Sequence, residues 1–126
     1  MYQISFFRNK NNINEVEEYL KFLRNKTDKE SKIKYSKISA YIEYLAKEGL
    51  KIGMPYVKHI GNELWELRPL KDRIFFGAVE DNRFIILSRF VKSSKKTPKK
   101  EITYANKLLK KYKEGIKNGT QVKWKI

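Results

Sequence analysis

The sequence predicts one α+β domain, in which a small antiparallel or mixed sheet is packed on one face by a helical hairpin and a C-terminal helix. Residues 63–98 contain the longest hydrophobic runs and two hairpin signals, which indicate a sheet. Two segments before this region and one after it have apolar residues at helical spacing. The 126 residues suffice for one hydrophobic core, so we expect a single domain over residues 1–126.

The N-terminal segment predicts a strand followed by a helix. Residues 2–8 alternate between apolar and polar side chains, which is typical of a strand. Asn14 has Glu17 three residues after it, a pattern related to the capping box, and therefore marks a helix start. Apolar residues continue at helical spacing to Leu23, so this helix is expected to end near Asn25.

A second helix is predicted from Thr27, with Glu30 in the matching capping position, to Gly49. Two amphipathic helices joined by a short turn form a helical hairpin. Their apolar stripes must be buried, and the sheet is the surface on which they pack.

The rest of the chain predicts strands and a last helix. A strand is expected at residues 56–60, and the three main strands at 63–68, 73–80 and 83–92. Thr97 as the cap and Pro98 at the first helical position predict a third helix, which Gly115 ends. The tail alternates at Val122, Trp124 and Ile126, and forms either an edge strand or an arm for a partner.

Two turns set the register of the predicted sheet. A two-residue hairpin loop at Asp81-Asn82 and a four-residue loop at residues 69–72 place Arg68, Arg73 and Phe90 in one row across three strands. Because side chains alternate, Glu66, Ser88 and Lys92 share this face. The opposite face is apolar and should receive the helices; it consists of Trp65, Leu67, Ile74, Phe76, Ala78, Ile85, Leu87 and Val91.

Charge is the strongest global feature. Twenty-nine Lys and Arg residues against 14 Asp and Glu residues give a formal net charge of +15. Such a domain binds polyanions with an affinity that falls steeply with salt. Nucleic acid and an acidic protein partner both fit this charge, and so does a solvated surface without a partner.

Other features of the composition disfavour several classes of protein. The absence of cysteine excludes disulfides and thiolate chemistry, and one histidine with few clustered carboxylates disfavours a metal site. We expect no cofactor. No apolar run approaches the roughly 18 residues of a membrane span, and the N-terminus lacks a signal-peptide pattern. We therefore expect a cytoplasmic protein that does not bind membranes.

The cationic face of the sheet predicts an anion site. The adjacent guanidinium groups of Arg68 and Arg73 match the geometry of a phosphodiester, and Phe90 beside them is placed to stack a base. The alternative is that these arginines pair with Glu66, Asp72 or the C-terminus.

Metal-free RNA cleavage is the chemistry that this face supports best. A 2′-hydroxyl attacks the adjacent phosphate, and Arg68 and Arg73 stabilise the charge of the transition state. Lys92 adds charge or protonates the leaving oxygen. Glu66 is a candidate base, although orienting Arg68 is its favoured role, and His59 has a suitable pKa range but is not essential. The expected RNA-binding residues are Phe90, Glu66, Lys58, His59, Lys95 and Lys96.

Four segments, LWELR at 64–68, RIFF at 73–76, RFVK at 89–92 and KTP at 96–98 before a helix, occur here in a characteristic order. Their combination resembles the RelE/ParE toxin superfamily, specifically its phage-derived, HigB-like branch. The order of two helices, three strands and a last helix also matches, so the resemblance covers most of the chain and implies a RelE-like fold.

This resemblance implies a type II toxin that cleaves mRNA in the ribosomal A site. It also implies a cognate antitoxin, usually a helix-turn-helix protein of the HigA type in this branch. Arg68, Arg73 and Lys92 match basic positions of the active face, whereas Ser93 replaces a lysine that the branch often has, and Lys95 or Lys96 is the candidate substitute. The alternatives are a non-catalytic inhibitor of a protein such as DNA gyrase, as in the ParE members, and a basic nucleic-acid-binding module.

Overall fold

A computed structural model describes residues 1–79, 82–116 and 122–123 of the chain. It confirms the α+β class. The elements in chain order are β1 (Gln3–Phe6), α1 (Glu15–Arg24), α2 (Lys29–Glu48), a 3-10 turn (Gly49–Ile52), β2 (Val57–Gly61), β3 (Leu64–Leu67), β4 (Asp72–Val79), β5 (Arg83–Val91), α3 (Lys99–Ile116) and β6 (Val122–Lys123). None of the helices in these ranges is long and apolar enough to cross a membrane.

The sheet is mixed and has the strand order β2-β3-β4-β5-β1-β6. Strand β1 runs parallel to β5, and all the other neighbouring pairs are antiparallel. The two residues of β6 pair with β1, so this part of the tail is an edge strand. Trp124 and Ile126, which belong to the same predicted alternation, lie outside the described residues.

The predicted ends of α1 and α2 are confirmed with one shift, at the start of α2. Helix α3 differs at both ends, since it begins at Lys99 and continues past the predicted stop at Gly115 to Ile116. Asn14 caps α1, because its side-chain oxygen accepts hydrogen bonds from the backbone N–H groups of Val16 and Glu17. The cap of α2 is Asp28 and not Thr27: its carboxylate accepts from both the N–H (3.1 Å) and the hydroxyl (2.9 Å) of Ser31. These two bonds lower the pKa of Asp28. Gly49 ends α2 at a φ of +67°.

The helices pack on both faces of the sheet, which corrects the expectation that one face receives all of them. The helical hairpin of α1 and α2 covers a core that includes Leu67, Phe76, Phe84 and Ile86. Helix α3 covers a second core on the other face, and the sheet residues of this core are Leu64, Phe75, Ile85 and Leu87. Both faces of the central strands are therefore apolar along most of their length, and only one end of the α3 face is cationic.

A β-bulge explains why Ile85 and Leu87 lie on the face opposite to the predicted one. Val79 pairs with Arg83, so the hairpin loop has three residues where two were predicted. The register then skips Leu87, between the pairs Phe76–Ile86 and Phe75–Ser88. The bulge compensates the longer loop, and for this reason the predicted pairing of Arg73 with Phe90 is confirmed.

Asn14 connects three elements at the buried start of α1. Only 3% of the residue is exposed. Besides capping the helix, Asn14 donates hydrogen bonds from its amide Nδ2 to two carbonyl oxygens. One belongs to Phe7, which follows β1 (2.7 Å), and the other to Ile86 in β5 (3.0 Å). One side chain thus fixes α1 against the parallel pair of strands.

We predict that Asn14→Ala lowers the free energy of unfolding by about 2–4 kcal/mol, because it removes a cap and the side-chain donor to the carbonyl groups of Phe7 and Ile86. Urea denaturation measures this loss. Asn14→Ser keeps a capping acceptor and removes the amide donor, so its loss should be smaller than that of the alanine variant. Equal stability of the alanine variant and the unchanged chain would contradict this role of Asn14.

Candidate functional site

The ends of β3, β4 and β5 bring four predicted site residues together on the α3 face of the sheet. Arg73 lies directly opposite Phe90 in the β4–β5 ladder, and Glu66 lies in β3 beside β4. Arg68 follows β3 and continues its pairing, because its backbone N–H donates to the carbonyl oxygen of Tyr56 at 2.9 Å. The floor of the site is therefore built on strands and not on loops.

Glu66 is the buried centre of this floor. Its side chain is 2% exposed, and its Oε1 lies 3.4 Å from Nε of Arg68 and 3.8 Å from Nε of Arg73. The Arg68 contact is an ion contact without hydrogen-bond geometry, since Nε of Arg68 has no hydrogen-bond partner among the described residues. Oε2 accepts a hydrogen bond of 3.1 Å from the hydroxyl of Thr97. One carboxylate therefore faces two guanidinium groups, and the three side chains together carry a net positive charge.

Arg73 is held in a single orientation by the backbone around it. The residue is buried, and its Nη1 donates to the carbonyl oxygens of Leu70 (2.8 Å) and Asp72 (2.9 Å). Burial, and secondarily the neighbouring Arg68, lower the pKa of Arg73. An arginine nevertheless remains protonated in proteins, so the floor holds a fixed positive charge that is poorly solvated.

Four exposed lysines complete the site. Lys58 lies opposite Glu66 in the β2–β3 ladder, and Lys92 follows β5, where its backbone N–H donates to the carbonyl oxygen of Lys71 at 2.8 Å. With the floor residues they form a cleft that opens to solvent, called here the cationic cleft. It is lined by Lys58, Glu66, Arg68, Arg73, Phe90, Lys92, Ser94, Lys95, Lys96 and Thr97. Six cations against one carboxylate give this lining a formal charge of +5.

His59 is the predicted site residue that the structure does not bring into the cleft. It lies opposite Trp65 in the β2–β3 ladder, and the two rings are 4.7 Å apart. Because side chains alternate along a strand, His59 points to the face opposite to that of Lys58. Its Nε2 donates to the carbonyl oxygen of Asn62 at 2.7 Å.

Thr97 and Ser94 line the cleft although the sequence did not indicate them as site residues. Thr97 was expected to cap α3, but this helix begins at Lys99 and the Thr97 hydroxyl donates to Glu66. Ser94 donates its hydroxyl hydrogen bond to the carbonyl oxygen of Lys96 at 3.0 Å. Their signal in the sequence is only that hydroxyl residues are interspersed with lysines in the basic loop, and an irregular loop has no periodicity that would place them.

Asp72 is not available to the arginines of the cleft. Its carboxylate is buried on the hairpin face, where Nη2 of Arg89 lies 3.2 Å from Oδ1 and the Tyr19 hydroxyl lies 3.5 Å from Oδ2. The Arg89 guanidinium group also stacks on the Tyr19 ring, 3.5 Å from its centroid. Burial, and secondarily the Asp72 charge, raise the pKa of Tyr19. Of the predicted pairings for Arg68 and Arg73, only that with Glu66 is therefore observed in the described residues.

This arrangement is suited to binding an anion that carries several charges in a row. The fixed guanidinium groups lie at the bottom, the flexible lysines at the rim, and the half-buried ring of Phe90 packs on Phe75 at a centroid distance of 5.5 Å. Within residues 1–79, 82–116 and 122–123, no three His, Asp or Glu side chains are grouped so that they could hold a metal ion. Positive charge in the cleft is supplied by the side chains themselves.

Comparisons with known proteins match most of the chain to one family. Residues 21–110 match the family described as phage-derived protein Gp49-like. The sequence has no significant match among curated proteins. Two solved structures of Staphylococcus aureus proteins, a YoeB–YefM complex and a heterotetrameric YoeB–YefM toxin–antitoxin complex, are similar in structure. The first has 18% identity and a TM-score of 0.49 over 74% of this chain and 99% of that chain. The second has 19% identity and a TM-score of 0.48, and the match covers 75% of this chain and 98% of that chain.

We predict that Glu66→Gln lowers the free energy of unfolding at neutral pH by about 2–4 kcal/mol, because two largely buried guanidinium groups lose the one carboxylate that lies within ion-pair distance of them in the described residues. Chemical denaturation measures the change. The matched control is Glu63→Gln, which breaks an exposed ion pair with Lys113 and should cost about 0–1 kcal/mol. Equal losses of unfolding free energy in the two variants would show that the Glu66 carboxylate does not offset the positive charge of Arg68 and Arg73.

Proposed function

We propose a function on the premise that this chain belongs to the Gp49-like family of phage-derived proteins, a family of RelE-like toxins. The protein is the toxin of a type II toxin–antitoxin system. It is a metal-independent endoribonuclease that cleaves mRNA on the ribosome, in the cytoplasm. The observation that carries this proposal is the cationic cleft, in which Arg68 and Arg73 are held on strands with one shared carboxylate.

The guanidinium groups stabilise the transition state of RNA cleavage. The 2′-hydroxyl passes its proton to solvent water as its oxygen bonds to the adjacent phosphorus. The bond from phosphorus to the 5′-oxygen breaks, which leaves a 2′,3′-cyclic phosphate and a 5′-hydroxyl. Negative charge accumulates on the phosphate oxygens, and a donor that is already fixed in place stabilises it without reorganisation. Arg73 meets this condition because two backbone carbonyl groups fix its guanidinium group. Arg68 adds a second guanidinium group beside it, whose Nε faces Oε1 of Glu66 at 3.4 Å.

Lys92 and Glu66 have different roles in this reaction. Lys92 is exposed at the rim of the cleft and donates the proton that the leaving 5′-oxygen requires. Glu66 is buried and its two oxygens are engaged by Arg68, Arg73 and Thr97. Its surroundings favour orientation of the arginines over abstraction of the 2′-hydroxyl proton, in agreement with its favoured role from the sequence.

The remaining residues of the cleft bind the RNA. Lys58, Lys95 and Lys96 contact phosphates of the backbone, and the Phe90 ring stacks on a base. The formal charge of +15 additionally attracts the protein to ribosomal RNA. His59 has no role in this proposal, because it lies on the other face of the sheet.

An acidic antitoxin, a helix-turn-helix protein of the HigA type, is the proposed protein partner. An exposed apolar groove lies beside the cleft, with Ile33 (45% exposed), Leu70 (48%) and Val91 (54%) in its lining. Lysines at positions 29, 34 and 71 line the same groove together with Glu30 and Asp72, and Lys34 pairs with Glu30 at 3.4 Å. An amphipathic antitoxin segment with acidic residues complements both its apolar and its basic parts. Because the carbonyl group of Leu70 orients Arg73, such a segment is also close to the catalytic arginines.

Primer extension on cellular mRNA after brief expression tests the enzymatic proposal. We expect cuts in translated mRNA that decrease at least 100-fold in Arg68→Ala, because each fixed donor to a developing charge contributes about 10²–10³ in rate. Arg24→Ala removes the same charge from the exposed end of α1, on the hairpin face, and should leave the cuts unchanged. Circular dichroism confirms that the variants are folded.

Two other results would replace this proposal. Growth arrest with intact mRNA and signs of DNA damage would indicate a gyrase inhibitor. Salt-sensitive RNA binding without toxicity would indicate a nucleic-acid-binding module.

Substitutions in the apolar groove test the antitoxin proposal. We expect Ile33→Asp and Leu70→Asp to weaken binding of the antitoxin encoded beside this gene at least tenfold, because they place carboxylates against acidic residues of the partner. Isothermal titration calorimetry measures the affinity. The control variant Phe22→Asp changes another exposed apolar residue, on α1 (57% exposed). It should bind the antitoxin with unchanged affinity. Full affinity in both groove variants would place the antitoxin elsewhere.

A further inference from the structure

The loop that carries the cleft lysines is attached to the sheet by a single side-chain hydrogen bond. We infer that Thr97 is a positioning residue: through Glu66, its hydroxyl holds residues 92–97 against the arginine floor of the cleft before the anion binds. The identity of this anion as RNA rests on the proposed function, whereas the attachment of the loop does not.

The bond joins two parts of the chain that are distant in sequence. The Thr97 hydroxyl donates to Oε2 of Glu66 at 3.1 Å across 31 residues. Glu66 is buried in β3, whereas Thr97 ends the exposed loop. Among the described residues this is the one contact of the Glu66 carboxylate that has hydrogen-bond geometry, because the two arginine contacts are longer or poorly aligned. A buried carboxylate oxygen therefore depends on this hydroxyl, and the loop depends on the carboxylate.

Electrostatic repulsion makes such an attachment necessary. Lys92, Lys95 and Lys96 share the cleft with two guanidinium groups, and one carboxylate is their only counter-charge in its lining. Like charges at this separation repel, most strongly where solvent is partly excluded. In the absence of an anion, the charges of the lining therefore favour an open loop.

The other observed contacts of the loop do not hold its lysines over the floor. At its start, the backbone N–H of Lys92 donates to the carbonyl oxygen of Lys71, and at its end the first turn of α3 begins with a bond from Glu101 to Pro98. Ser94 bonds only to Lys96 within the loop. Thr97 is thus the residue whose side chain ties the loop to the floor of the cleft.

The consequence for binding is a cleft that is formed in advance. Holding Lys95 and Lys96 in place means that the ordering of the loop does not have to be offset by the binding energy of the RNA. Loss of the Thr97 hydroxyl should therefore weaken RNA binding through the loop lysines and leave the arginines of the floor in position.

Binding of a single-stranded RNA oligonucleotide with 2′-O-methyl groups, which cannot be cleaved, tests this inference. Fluorescence anisotropy over a series of salt concentrations gives the affinity and its salt dependence. Thr97→Val removes the hydroxyl and keeps the shape of the side chain. We expect a three- to tenfold weaker affinity. The slope of log K against log salt concentration should be smaller by about 1.4, since the phosphate contacts of both Lys95 and Lys96 are lost and each contact on a single strand contributes about 0.7.

Two further variants separate positioning from a general loss of structure. Thr97→Ser retains the donor and should bind within twofold of the unchanged chain. Lys95→Ala/Lys96→Ala should weaken binding in the unchanged chain and have little further effect in the Thr97→Val background. In cleavage assays with unmodified mRNA on ribosomes, Thr97→Val should raise KM and leave kcat nearly unchanged.

Unchanged affinity and salt slope in Thr97→Val would overturn the inference, and so would full additivity of the Thr97 and lysine variants. A chain that binds the oligonucleotide but cleaves no mRNA would contradict the proposed enzymatic function alone. The binding series would still decide the role of Thr97. Failure of the unchanged chain to bind the oligonucleotide would overturn the inferred role of the preformed cleft in RNA binding, and primer extension alone would then decide the enzymatic function.

Discussion

The burial of one carboxylate beneath two guanidinium groups is the interaction on which the functional end of this sheet depends. Glu66 draws Arg68 and Arg73 towards the α3 face and also receives the hydroxyl of Thr97. One negative charge does not neutralise two positive ones, and the lysines at the rim add to the excess. The fold therefore accumulates positive charge at a place from which water is partly excluded. A bound anion would offset this excess charge.

The position of these side chains could be predicted from local patterns because it depends on strand alternation and on one correct pairing. Arg73 lies opposite Phe90 as the turn lengths suggested. Two features absent from the prediction compensate each other. The hairpin loop is one residue longer than predicted, and the bulge at Leu87 restores the predicted register of the residues that follow it. The faces of Ile85 and Leu87 were assigned wrongly because a bulge leaves no reliable mark in a run of apolar residues.

What the sequence did not reveal depends on contacts between distant segments. Helix α3 lies opposite the hairpin because both faces of the central strands are apolar, and a continuous apolar run does not indicate which helix covers which face. His59 lies on the other face of the sheet from Lys58, because adjacent strand residues point in opposite directions. Thr97 fitted the pattern of a helix cap, and only the three-dimensional structure shows that its hydroxyl reaches a strand 31 residues away.

The bulge at Leu87 divides β5 into two halves that pair with β4 in different registers. A change in the length of the hairpin loop shifts the pairing of residues 83–86 with β4, but gain or loss of the bulge absorbs this shift before it reaches Ser88. The half of the strand that ends at the cleft is thereby insulated from variation at the tip of the hairpin. Relatives of this protein can thus differ in the length of this turn while the row of Arg73 and Phe90 stays in register.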